Sequence, residues 1–148
     1  MSGFLVPIRV FTPHSLAAVR FAVEFGKRNN GILYFLFVDD PDEAPVVSKE
    51  GNGSDAMQKT DLVRREIEGL IEAGKSMDGV QMETHFRSGD FMQEVRQFVR
   101  DHYITEIVVS LPDEHEDTFE QTRKDILFLL KMTHCRILTV KQKNKGLR

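Results

Sequence analysis

Ile32-Leu33-Tyr34-Phe35-Leu36-Phe37-Val38 is the stretch on which the fold turns. Apolar and aromatic residues follow one another with no polar alternation, which is the pattern of a strand covered on both faces. The run has the length of a strand and is far too short to span a bilayer. Gly31 precedes it and Asp39-Asp40-Pro41 ends it, and residues of these types break a regular element. A strand of this kind belongs in the interior of a parallel sheet.

Outward from it, four more short apolar runs read as strands: Phe4–Phe11, Val80–Phe86, Glu106–Ser110 and Arg136–Val140. Segments of helical period separate them, and strands alternating with helices mean a parallel sheet with covering helices. Helix one follows Thr12-Pro13, a capping residue and a proline at the first helical position, and turns Leu16, Val19 and Val23 to the sheet. Helix two is read over Thr60 to Ser76, with Val63, Ile67, Leu70 and Ile71 on one stripe and Gly69 and Gly74 weakening it. Helix three starts at Asp90, a cap with Gln93 in a box-like arrangement, and carries Val95, Phe98, Val99 and His102 inward. Helix four runs to about Thr133 and is expected to bury Ile126, Leu127 and Leu130. Pro41, Pro45, Gly51, Asn52, Gly53 and Ser54 mark a loop over about 40–59.

The chain of 148 residues fits a single domain, read as 1–141, followed by a basic tail over 142–148. One cysteine, Cys135, cannot form an internal disulfide, so a reducing, cytoplasmic setting is expected. A net charge of -3 gives no global attraction to nucleic acid, and no segment is apolar enough for membrane insertion. The histidines at 14, 85, 102, 115 and 134 have no metal-ligand spacing, so no metal site is expected. Neither a G-x-S-x-G elbow nor a Walker loop is present, so no catalytic residues are assigned and the chain is not read as an enzyme.

Four strings narrow the family. Leu5-Val6-Pro7-Ile8-Arg9-Val10-Phe11-Thr12-Pro13-His14-Ser15 resembles the first strand and loop of universal stress proteins, written I-L-V-P-x-D-F-S-P-x-S. Asp39-Asp40-Pro41, Arg87-Ser88-Gly89-Asp90 and Cys135-Arg136-Ile137-Leu138-Thr139-Val140 resemble that family's V-D-P, R-x-G-D and C-P-V-L-V-V segments, in order and at matching spacing. The resemblance implies a doubly wound, Rossmann-like α/β fold: a five-stranded parallel sheet of order 3-2-1-4-5 with four helices, and a ligand crevice between strands one and four. It also implies a homodimer made by pairing edge strand five, Arg136, Ile137, Leu138, Thr139 and Val140, with its copy.

Nucleotide-binding members carry G-x-x-G-x9-G-[S/T] after strand four, where glycines let backbone N–H groups approach phosphates. Aligned on Cys135, those positions fall on Ser110, Asp113, Arg123 and Lys124. All four depart from the pattern, and Asp113, Glu114, Glu116, Asp117 and Glu120 crowd the same loop. The family's first-strand acid falls on Val10, or on Arg9 in the other alignment. The resemblance therefore implies a regulatory or interaction module of the stress response without ATP or another cofactor. One alternative keeps ATP, AMP or another anion through Arg123 and Lys124; a second, by fold analogy alone, is a nucleotide hydrolase or transferase.

Overall fold

The computed structural model describes residues 2–9, 13–29, 31–39, 53–75 and 81–141. Its elements alternate: β1 (Ser2–Ile8), α1 (Pro13–Arg28), β2 (Gly31–Asp39), α2 (Gly53–Lys75), β3 (Gln81–Ser88), α3 (Phe91–Asp101), β4 (Ile104–Ser110), α4 (Phe119–Met132) and β5 (Arg136–Val140). The sheet has five strands in the order β3-β2-β1-β4-β5, every adjacent pair parallel. The parallel sheet is what the alternation of runs led one to expect, and its strand order is the one that the family resemblance implied.

β2 is interior, as its unbroken apolar run requires, with Leu33 through Val38 all buried. The two faces of the sheet carry separate cores. On one, Phe4, Val6 and Ile8 of β1 and Leu33, Phe35 and Phe37 of β2 pack with Leu16, Val19 and Val23 of α1 and Ile67 and Ile71 of α2. On the other, Leu5, Tyr34, Leu36 and Val38 meet Phe91, Val95 and Phe98 of α3, Leu129 of α4 and Cys135. Burying a side chain of this size contributes roughly 1.5–3 kcal/mol, so two such layers hold the sheet from both sides.

β1 lies in the middle and passes close to β4. A side chain on Gly3 would collide with the Tyr103 carbonyl oxygen, and the β1–β4 register shifts at that point, between Gly3 and Phe4. Glycine is needed there because two backbones approach within the space a Cβ would fill.

Several boundaries differ from the sequence reading. α2 begins at Gly53, not Thr60, so the loop expected over 40–59 is cut short. Gly53 and Ser54 were read as loop formers, yet the following Ala56, Met57, Gln58 and Lys59 are strong helix formers. β3 extends to Ser88 and β4 starts at Ile104, because ladder pairing to β2 and β1 carries polar residues along. α4 buries Leu129, whereas Leu127 and Leu130 are exposed. The apolar run Ile126–Leu130 has no internal period to say which side faces in, and packing against Cys135 and Ile107 selects Leu129. Val10, Phe11, residues 40–52 and the tail 142–148 lie outside the described residues.

Candidate functional site

In an open parallel sheet the crevice beyond the carboxyl ends of the strands opens where the strand order reverses. Here that point lies between β1 and β4. Its rim is built from Arg9 just past β1, the first turn of α1, the β4–α4 loop over 111–118, and the first turns of α3 and α4.

Arg9 is the residue that organises it. Its guanidinium lies 4.2 Å from the centre of the Phe91 ring at the start of α3, a cation–π contact. Nη2 sits 3.1 Å from Asp125 Oδ2 of α4, with both side chains largely buried, 19% and 13% exposed. Burial pushes the Asp125 carboxyl above its usual range, and nearby Asp90 adds to this; Arg9 and a hydrogen bond donated by Gln121 Nε2 at 2.9 Å pull the other way. An ion pair this enclosed is costly to break, because charges taken out of water depend on the partners they keep.

A second pair crosses the same rim. His14, in the first turn of α1, places Nε2 2.7 Å from Glu116 Oε2 in the β4–α4 loop. In each pair the nitrogen comes from the β1–α1 side and the carboxylate from the β4–α4 side. The loop is also tied at its base: Leu111 N donates to Val140 O at 2.8 Å, and Glu116 N to Asp113 O at 2.9 Å.

The positions marked in the sequence fall as follows. Ser110 ends β4 and Asp113 lies in the loop, both half-buried. Arg123 and Lys124 are exposed on α4, and Arg123 Nε lies 3.5 Å from Glu120 Oε2 of its own helix. They stand on the outer side of α4, while Asp125, the next residue, turns inward to Arg9. Val10 is outside the described residues. Sequence reasoning noted Arg9 as one alignment of the lost acid, but missed Asp125 and His14. The only available signal was charge reversal, a cation after strand one facing acids after strand four.

The neighbouring β3–α3 turn is built differently. Gly89 has φ +146°, a left-handed backbone that other residues rarely adopt, and its N–H donates to Asp39 O at 2.9 Å. Asp90 caps α3, its Oδ2 accepting from Gln93 N at 3.0 Å. The R-x-G-D string is thus a piece of turn architecture. Elsewhere, Cys135 is buried, its Sγ donating to Ile104 O at 3.2 Å, and burial raises its thiol above the usual range. Among the described residues no three His, Cys, Asp or Glu side chains are grouped to hold a metal ion, and no helix is long and apolar enough to cross a membrane.

Comparison with solved structures gives the same fold throughout. UspA of Lactobacillus plantarum, a universal stress protein, superposes with a TM-score of 0.67 at 15% identity, over 94% of this chain and 97% of that one. A universal stress protein solved in complex with cAMP gives 0.63 at 13% identity, over 95% and 96%. An Arabidopsis thaliana family protein with AMP bound gives 0.58 at 13%, over 100% and 96%. A search of curated protein sequences finds no match. The model of the universal stress protein family matches residues 3–115, ending inside the acidic loop and before Arg123 and Lys124. With that match over most of its length, and with the strand order its strings imply, the chain belongs to the universal stress protein family.

Proposed function

We propose that this chain is a regulatory or interaction module of the stress response, acting in the cytoplasm without bound ATP. The observation that carries the reading is the Arg9–Asp125 pair at the rim between β1 and β4. The pair stands at the end of the sheet where domains of this fold take their ligands, beside a loop whose residues 110, 113 and 123 are not the glycines of the phosphate-binding pattern. Backbone N–H groups cannot converge on a phosphate where side chains fill the approach, and acids at 113, 114, 116 and 117 repel it. Members of this family are generally not classical enzymes, and no catalytic role is assigned to any residue here.

The test is calorimetric titration of ATP, ADP, AMP and cAMP into protein stripped of carried-over ligand. No saturable binding is expected up to millimolar concentrations, and micromolar affinity for any of them overturns the reading. A second reading, that the chain binds an adenine nucleotide, is favoured by the AMP and cAMP bound to two structural neighbours. In its specific form Arg123 and Lys124 supply the contacts, so reversing both charges would abolish binding.

The same module is proposed to act as a homodimer through β5. That strand forms the sheet edge, with Arg136 and Thr139 exposed and Ile137, Leu138 and Val140 half-buried. α4, packed on it, leaves Leu127 and Leu130 about half exposed, at 48% and 53%. An open edge beside exposed leucines suits self-pairing about a two-fold axis. Native mass spectrometry is expected to show the dimer, and a monomer at tens of micromolar protein would remove this part of the proposal.

A further inference from the structure

The sign of charge changes along the chain at α4. Residues 123–148 hold eight Lys and Arg and one acid, Asp125, whereas residues 1–122 hold twelve Lys and Arg and 22 Asp and Glu. Asp125 turns inward to Arg9, so beyond Glu120 the outward face of the helix carries cations alone. Arg123, Lys124, Leu127, Leu130 and Lys131 recur at the spacing of one helical face, opposite the buried Leu129, and all five are exposed. Arg123 reaches Glu120 at 3.5 Å, a surface contact of little weight. Among the described residues Lys124 and Lys131 have no ion pair or hydrogen bond. Two leucines half in water, framed by three cations, have the make-up of a small interface: an apolar centre and a charged rim.

We propose that this face of α4 is a docking surface for an acidic amphipathic segment of a partner protein, whose apolar side chains cover Leu127 and Leu130 and whose carboxylates meet Arg123, Lys124 and Lys131. This rests on the reading of the chain as an interaction module, and it adds where the partner binds and with what chemistry. Charge decides among the occupants. Residues 1–122 are net acidic, so they turn an acidic partner away and leave α4 as its landing place. A second copy meeting this face about a two-fold axis would set the same three cations against each other, whereas pairing of β5 edges is made by backbone and does not need the face. An anionic bilayer is a plane, and laid on α4 it would also press on Glu114, Glu116, Asp117 and Glu120, all exposed just ahead of the helix or in its first turn. A single segment lying along α4 avoids them.

The probe is a fluorescein-labelled helical peptide of about four turns, with a leucine face flanked by glutamates. Binding is read by fluorescence anisotropy and by the amide chemical shifts of the isotope-labelled full chain. The intact chain is expected to bind with a Kd on the order of tens of micromolar or tighter, more weakly as salt is raised, with shifts centred on α4. Lys124→Glu/Lys131→Glu should weaken binding at least about tenfold, and Leu127→Gln/Leu130→Gln should weaken it measurably; circular dichroism checks folding. The same peptide with glutamine for every glutamate should not bind. Absence of binding by the intact chain, unchanged affinity in either variant, or shifts centred away from α4 overturns the proposal. Tighter binding of phosphatidylserine vesicles also overturns it, making the partner a membrane. So does a dimer that dissociates in the leucine variant, because the occupant is then a second copy. If the lysine variant fails to fold, Lys131→Glu alone decides: a measurable loss is expected, and no loss overturns the proposal. The assay contains no nucleotide, so nucleotide binding at the crevice, which defeats the preceding reading, does not enter its result.

Discussion

Two turns at the same end of the sheet, β3–α3 and β4–α4, answer to different physical demands. In the first, Arg87-Ser88-Gly89-Asp90 follows the family's string and its geometry explains the residues: a left-handed glycine, a hydrogen bond to the end of β2, and a cap on α3. In the second, Ser110, Asp113, Arg123 and Lys124 stand where the resemblance leads one to expect three glycines and a hydroxyl residue, and α4 still forms and packs Leu129 into the core. The difference separates residues that the backbone requires from residues that only a ligand requires. A turn that must reverse the chain at φ +146° accepts little besides glycine. A loop whose glycines serve a phosphate can fill with side chains once no phosphate has to be approached.

The comparison predicts unequal costs. Gly89→Val should destabilise most, by about 3 kcal/mol or more, from backbone strain joined by the crowding of its side chain against Glu94; urea denaturation measures it. A loss under 1 kcal/mol would mean that the turn relaxes and the contrast between the loops is weaker than drawn. Asp90→Ala should cost about 1 kcal/mol through loss of the cap, with α3 amides exchanging faster in hydrogen-exchange measurements. In the acidic loop, Glu114→Gln with Asp117→Asn, both exposed, should change stability by less than about 0.5 kcal/mol. A larger effect would show that the loop acids hold the fold as well as the crevice.

The clasp between the two halves of the crevice should also appear in the pH dependence of stability. Asp125 has a native pKa raised above its usual value of 3.8 by burial, so the folded state binds its proton more tightly than the unfolded state. Its contribution is fully present below 3.8 and is lost as pH rises through the raised native value. Glu24 has the opposite sign: its hydrogen bond and charge contact with Lys27 lower its pKa from 4.5, so its contribution is lost as pH falls. Against Asp125→Asn, the melting temperature of the intact chain should therefore fall progressively as pH is raised from about 4 to neutrality. A constant offset across that range would show that Asp125 titrates as an ordinary carboxylate. Cys135 supplies a smaller check: buried and with its thiol pKa raised, it should label slowly with a thiol reagent at neutral pH until the chain is denatured.

Much of the fold was legible because burial writes directly into the sequence. The run Ile32–Val38 identified an interior strand, and the family strings gave the order of the sheet. Asp90 announced its helix start by residue type, and β5 was placed at both ends. α2 was shortened because glycine and serine break a helix only on average, and Leu127 and Leu130 were misassigned because a continuous apolar run has no face until something packs on it.

At the crevice, residue types alone showed that Ser110, Asp113 and Arg123 are not the glycines, and Arg9 or Val10 not the acid, that the resemblance leads one to expect there. What took their place was decided by tertiary structure. Arg9 and Asp125 stand far apart in the chain, as do His14 and Glu116, and nothing local to either residue names its partner. The parallel order β1 beside β4, with α3 and α4 on one face, brings them within bonding distance. Hydrophobic patterning is a property of neighbours along the chain and can be read there. The pairing of charges across a crevice depends on which strands lie side by side, and only the folded sheet decides that.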